Sequence, residues 1–157
     1  MLVALLIAAI PLMIISKLSS KEKTGNKLLV QASTIMLVVL LLQIVLGTQV
    51  REQIDEISKP LGYEQRELWI GQLDNMFFIH RSFSWLVASG CLFLWWKARP
   101  FPLLRRDALF ILFAVAGSIG LGLIMAFNNI PALAQPLHLL MASALVLGIF
   151  SFRLKLK

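Results

Sequence analysis

Five long apolar blocks, nearly free of charge, leave this chain few ways to fold. They run over residues 2–15, 28–50, 76–96, 108–127 and 136–152. A helix needs ~20 residues at ~1.5 Å each to cross a hydrocarbon layer of ~30 Å, and three of the five blocks reach that length. The last falls a little short unless residues from Ile130 onward join it, and the first is clearly short. In lipid every backbone polar group must be bonded within the protein, so only helices and closed barrels span. A barrel strand alternates apolar and polar residues with period two, and these blocks do not alternate. With 59% hydrophobic and 15% charged residues, the chain lies well away from soluble domains, which are about half apolar and about a quarter charged. The sequence therefore predicts an all-α integral membrane protein.

Net charge is +7, which would suit a nucleic-acid partner if the cations formed one patch. They do not. Lys17, Lys21, Lys23 and Lys27 separate the first two blocks, Lys97, Arg99, Arg105 and Arg106 separate the third and fourth, and Arg153, Lys155 and Lys157 end the chain. Those eleven of the fifteen basic residues fall on one side, while Glu52, Asp55, Glu56, Glu64, Glu67 and Asp74, six of the eight acids, fall on the other. Basic loops stay in the cytoplasm. The expectation is a multi-pass protein of a bacterial inner membrane, with a cytoplasmic C-terminus and a periplasmic loop over 50–75. Lipid is its surroundings, and no nucleic acid is expected.

This orientation puts Met1 outside, an odd beginning for a membrane protein. No basic segment precedes the first block and no small-residue cleavage site follows it, so a signal peptide does not fit. Residues 1–16 are read as a partial or short extra transmembrane helix, the end of a missing N-terminal half, and 28–157 as a four-helix transmembrane domain. The 50–75 loop has a Pro60-Leu61-Gly62 turn and an amphipathic stretch over 68–73, with Trp69 suited to the membrane interface. The single cysteine, Cys91, excludes an internal disulfide and a multi-cysteine metal site.

The two histidines, His80 and His138, both lie inside apolar blocks. An ionisable residue in a span is expensive and marks a functional site by default. Each lies about four residues in from the outer end of its helix, so the two imidazoles are expected at one depth. Each is followed after ten residues by glycine, Gly90 and Gly148, and each follows a helix with glycine near its outer end, Gly47 or Gly120 and Gly122. The pattern is a helix hairpin repeated twice, which predicts a four-helix bundle of quasi-twofold symmetry with the histidines facing across its centre.

Zinc or copper would usually take three or four ligands, and no carboxylate or cysteine shares this depth. A heme needs two axial ligands, and its apolar macrocycle suits a lipid-embedded bundle. Ser84, Ala88, Gly117, Gly120, Ala142 and Ser143 leave room for a flat ring. Arg81 and Arg51 lie near the outer face, where anionic propionates would point. His80 and His138 are thus candidate axial ligands of heme iron, each binding through one ring nitrogen while the other donates a hydrogen bond.

The stretch Gln43-Ile44-Val45-Leu46-Gly47-Thr48-Gln49-Val50-Arg51-Glu52-Gln53-Ile54-Asp55, with His80-Arg81-Ser82-Phe83-Ser84-Trp85 and Gln135-Pro136-Leu137-His138-Leu139-Leu140, resembles the C-terminal half of heme A synthase. That family oxidises the C8 methyl of heme O to the formyl of heme A, for cytochrome c oxidase assembly. The resemblance covers residues 28–157 and implies two similar four-helix halves, this one holding heme b on His80 and His138. It implies heme O and heme A as substrate and product, heme O synthase and oxidase assembly factors as partners, and allows a homo-oligomer. The family's first half has a glutamate, held to be catalytic, three residues before its first histidine. Phe77 stands there in this chain, so the resemblance assigns no catalytic residue here. The family's outer-loop cysteine pair is missing too. Two other classes compete: a small b-type cytochrome taking electrons from quinone, and a non-heme membrane assembly protein whose histidines only pack. The cytochrome reading commonly requires four histidines for two hemes.

Overall fold

A computed structural model describes residues 2–18 and 25–156; Lys21, Lys23 and Lys157 of the basic side lie outside them. It contains five α-helices: α1 (Leu2–Leu18), α2 (Lys27–Ser58), α3 (Asn75–Ala98), α4 (Pro102–Phe127) and α5 (Ala134–Leu154). Among the described residues there is no strand. The last four helices are long and apolar enough to cross a membrane, and α1 is apolar but shorter. The fifth block gains its missing length from residues 134 and 135, as α5 starts at Ala134.

Local chemistry sets the ends. Asn26 caps α2 by accepting the Leu29 N–H at 3.1 Å, and Asp74 caps α3 by accepting that of Met76 at 2.7 Å. Pro102 opens α4, where its missing N–H is no loss. One boundary departs from the sequence reading. α2 continues to Ser58, eight residues past its apolar block, because the polar run after Val50 consists largely of good helix formers and adds an Arg51–Asp55 pair one turn apart. Lys59, Pro60 and a left-handed Gly62 then end it.

The helices form a ring. α2 packs on α3, α3 on α4, α4 on α5 and α5 back on α2, while α1 lies against α5 outside the bundle. α3 and α5 therefore stand diagonally, as the hairpin repeat predicts. The glycines show the repeat in three dimensions. A Cβ at Gly90 of α3 would overlap the Met36 sulfur of α2, and one at Gly148 of α5 would come within 3.0 Å of Phe110 and 3.5 Å of Ile111 on α4.

The main buried apolar cluster lies toward one end of the ring. It comprises Leu5 of α1, residues from Leu29 to Ile44 of α2, Val87 to Ala98 of α3, Leu104 to Val115 of α4 and Leu145 to Phe152 of α5, and Leu156. That is the end where the basic residues lie. Lys155 pairs with Asp107, Arg153 donates to the Thr34 hydroxyl at 3.1 Å, and the Ser16 hydroxyl donates to the Leu154 carbonyl at 3.4 Å. The C-terminus is thereby tied to α4, α2 and α1. The other end carries both histidines and has few fully buried side chains.

Candidate histidine site

Each histidine stands on the second helix of its hairpin and faces a glycine on the first. A Cβ at Gly47 would lie 3.0 Å from His80 Cε1, and one at Gly122 would lie 3.7 Å from His138 Cε1. The His80 ring crowds the place of a side chain on α2, whereas the His138 ring stands at ordinary contact distance from one on α4. Of the two glycines expected on α4, Gly122 faces the histidine, whereas around Gly120 there is open space. Both rings are half-buried.

His138 Nδ1 is 2.9 Å from the Ser118 carbonyl of α4. A carbonyl only accepts, so Nδ1 carries the proton and the lone pair is on Nε2, the form of imidazole that ligates metals. His80 is held differently. Gln43 Nε2 donates to the His80 backbone carbonyl at 3.1 Å, while His80 Nδ1 is buried without a partner. Gln43 Oε1 and the Ser118 hydroxyl are also buried and unpaired. Buried polar atoms are nearly always bonded. Several orphans in the loosely packed end, beside two imidazoles, mark it as a place built for something polar-edged.

Sequence reasoning singled out neither Gln43 nor Ser118 as a site residue. The signal was there: a polar residue within an apolar block, four before a glycine that faces a histidine.

Arg51 lies one turn beyond Gly47 but is exposed, with Nε bonded to Asp55 at 3.1 and 3.2 Å. Arg81 is also exposed beside His80. The structure thus puts one histidine on each of the two diagonal helices, near the same end of the ring, and leaves both arginines at the surface of that end. Among the small residues expected to leave room, Gly117 packs against Met141, and the Ser84 and Ser143 hydroxyls are turned back onto their own helices, bonding the Arg81 and Leu139 carbonyls at 2.6 and 2.9 Å. Phe77, three residues before His80, is half-buried and edge-on to Phe78 with centroids 5.4 Å apart.

Two connections cover this end. Arg66 Nη1 donates to the Ile130 carbonyl at 2.7 Å, joining the loop after α2 to the turn between α4 and α5. The same guanidinium lies 5.1 Å from the centre of the Trp69 ring. Trp69 does not turn its ring outward: it is only 2% exposed, and the Glu64 carbonyl accepts its indole N–H at 2.9 Å, which removes the penalty for burial. The amphipathic stretch around it forms two short 3-10 turns, Arg66–Leu68 and Ile70–Gln72.

Among the described residues no three or more histidine, cysteine, aspartate or glutamate side chains gather as a metal-binding group. Two imidazoles from diagonal helices, one already in the ligating tautomer, remain as the donor set. They suit a metal that brings its own equatorial ligands, and the glycine notches and open space at Gly120 suit a flat macrocycle. The sequence profile described as cytochrome oxidase assembly protein, COX15-CtaA, matches residues 1–150. No curated protein and no solved structure matches the chain.

Proposed function

Because this chain belongs to the cytochrome oxidase assembly protein family, whose members are heme A synthases, we propose that it holds one heme b between His80 and His138. The chain then acts as the heme-b half of the synthase, in a bacterial inner membrane with its C-terminus in the cytoplasm. The family is an oxidoreductase family that takes heme O to heme A. The observation that carries the reading is the His138 contact to the Ser118 carbonyl, opposite a second half-buried imidazole on the diagonal helix.

A heme held there would supply one-electron redox chemistry, with His80 and His138 as the residues that would hold it. The chain's own residues do the rest. His80 and His138 would orient a macrocycle from the two diagonal helices, and the apolar residues of α2 and α4 would exclude water from it. Arg81, exposed beside His80, would meet a propionate at the outer surface, and Arg51 would join it by leaving Asp55. An exposed pair of that kind is worth only ~0–1 kcal/mol, so the exchange is easy.

Phe77 provides no carboxylate beside His80. The nearest acid along the helix, Asp74, is exposed and occupied in capping α3. The oxidation of the heme O methyl is therefore assigned to the family's other half, with heme O synthase and oxidase assembly factors as neighbours in the pathway.

A reduced-minus-oxidised spectrum of the purified chain tests the proposal. A low-spin b-type heme is expected, lost in His80→Ala and in His138→Ala and retained in Cys91→Ala. Normal low-spin heme in both histidine variants would falsify the ligand assignment.

A further inference from the structure

The two hairpins match residue by residue around the histidines. Met36 and Gly47 are eleven apart on α2, as are Ile111 and Gly122 on α4, and in each pair the first packs at the glycine ten residues after a histidine. In the same register Gln43 corresponds to Ser118, each four residues before the glycine that faces an imidazole. The Ser118 backbone carbonyl bonds His138 Nδ1 at 2.9 Å. A Cβ added at Gly47 would lie 3.5 Å from His80 Nδ1 and one at Gly122 would lie 4.0 Å from His138 Nδ1, so both rings turn the same nitrogen toward their glycine, and His80 Nδ1 is buried there without a partner.

Helix geometry explains the four-residue spacing. A helical carbonyl points along the axis toward the residue four positions on. A side chain there would stand between the carbonyl and an approaching ring, and glycine removes it. At Gly47 the need is strict, because an added Cβ would meet His80 Cε1 at 3.0 Å; at Gly122 the 3.7 Å separation is ordinary contact.

We propose that the Gln43 and Ser118 backbone carbonyls are matched anchors, reached through notches at Gly47 and Gly122, that hold His80 and His138 as Nδ1–H tautomers and present both Nε2 atoms to one ligand. Gln43 adds a second grip by bonding the His80 backbone carbonyl, which keeps α3 in register with α2. These are positioning groups, acting through the histidines. The inference rests on the heme reading above and assigns to particular atoms what that reading leaves open. An N–H bonded to a carbonyl also makes an imidazole a stronger donor to iron, which favours the ferric state.

The experiment replaces each imidazole in turn. His80→Gly and His138→Gly protein is titrated with imidazole, 4-methylimidazole and 1-methylimidazole, and recovery of the low-spin heme spectrum is followed. The two methylated ligands have equal bulk, but only 4-methylimidazole keeps an N–H when bound. Imidazole and 4-methylimidazole are expected to restore the spectrum at concentrations roughly 10–100-fold below 1-methylimidazole, the usual effect of losing an outer-shell partner of a metal ligand. Equal recovery by the two methylated ligands at either site overturns the anchor at that site.

Gly47→Ala in the otherwise intact chain gives a second measurement. Its heme midpoint potential should rise; an unaltered potential in heme-loaded Gly47→Ala refutes the Gln43 anchor. If the unaltered protein shows no low-spin heme at all, the functional reading fails. If it shows the heme while the methylated ligands behave alike, only the anchors fail.

Discussion

Gly90 and Gly148 do the same job in the two hairpins: each lets the preceding helix come close enough to lay a side chain across its backbone. At Gly90 that side chain is Met36, which lies where a Cβ would be. Gly90→Ala must therefore push the thioether aside within a close-packed cluster. A loss of about 1–3 kcal/mol is expected, measured as a lower midpoint of unfolding in mixed detergent micelles. Gly120→Ala is the counterpart, since nothing lies within 4 Å of the added methyl. Its stability should be unchanged or raised by up to ~1 kcal/mol of helix propensity. At this scale the sequence showed which residues matter more clearly than how they act. The ten-residue spacing from histidine to glycine was legible, because small residues and ionisable residues are rare enough in apolar blocks to stand out. The partner of each glycine was not, because helix rotation is set by the whole interface. Gln43 was passed over for the same reason: its importance lies in facing His80, which no spacing within α2 reveals.

At the scale of the element, hydropathy located every span but misjudged where α2 ends. Hydropathy reports which residues can sit in lipid. A helix stops where capping and turn chemistry stop it, and in α2 that point is Pro60 and Gly62, well past the end of the continuous apolar block at Val50. Its 32 residues make a rod of ~48 Å, so about a third of it projects beyond a hydrocarbon layer of ~30 Å. Trp69 misled for a related reason: an aromatic with a polar edge reads as an interface residue until a carbonyl is found to satisfy that edge. Sidedness can be checked directly. Lys59→Cys, at the tip of the projecting α2, should react with an impermeant thiol reagent in intact cells, whereas Arg105→Cys, near the start of α4, should react only after lysis. Both residues are exposed, and the native Cys91 is fully buried, so background labelling should be small. Labelling of the 105 site in intact cells would reverse the orientation.

The whole molecule is a ring of two hairpins, and the sequence indicated that architecture because its repeat puts one histidine in each hairpin. The diagonal placement of α3 and α5 follows from the short connections that make α3 and α4, and α4 and α5, antiparallel neighbours, with α5 closing back onto α2. The division of the ring into a close-packed and a loosely packed end was not legible, since both ends are built from similarly apolar residues. At this scale the expected outcome is a negative one. Expressed in cells that make heme O but lack a heme A synthase, the 157-residue chain should accumulate heme b and yield no heme A on extraction and chromatography. Co-expression with the glutamate-bearing half of the family should restore conversion. Heme A formed by this chain alone would show that a carboxylate beside the histidine is dispensable. The uneven packing also bears on the order of events in biogenesis. If the chain takes up a heme as proposed, helices packed together at the basic end would give it a fixed scaffold before loading. Amide hydrogens should therefore exchange slowly around Leu94, Leu104 and Ile149 and much faster around Gly47, Gly122 and the histidines. Loading would slow exchange chiefly at that second set, making cofactor capture the closing step of folding at one end of a bundle already assembled at the other.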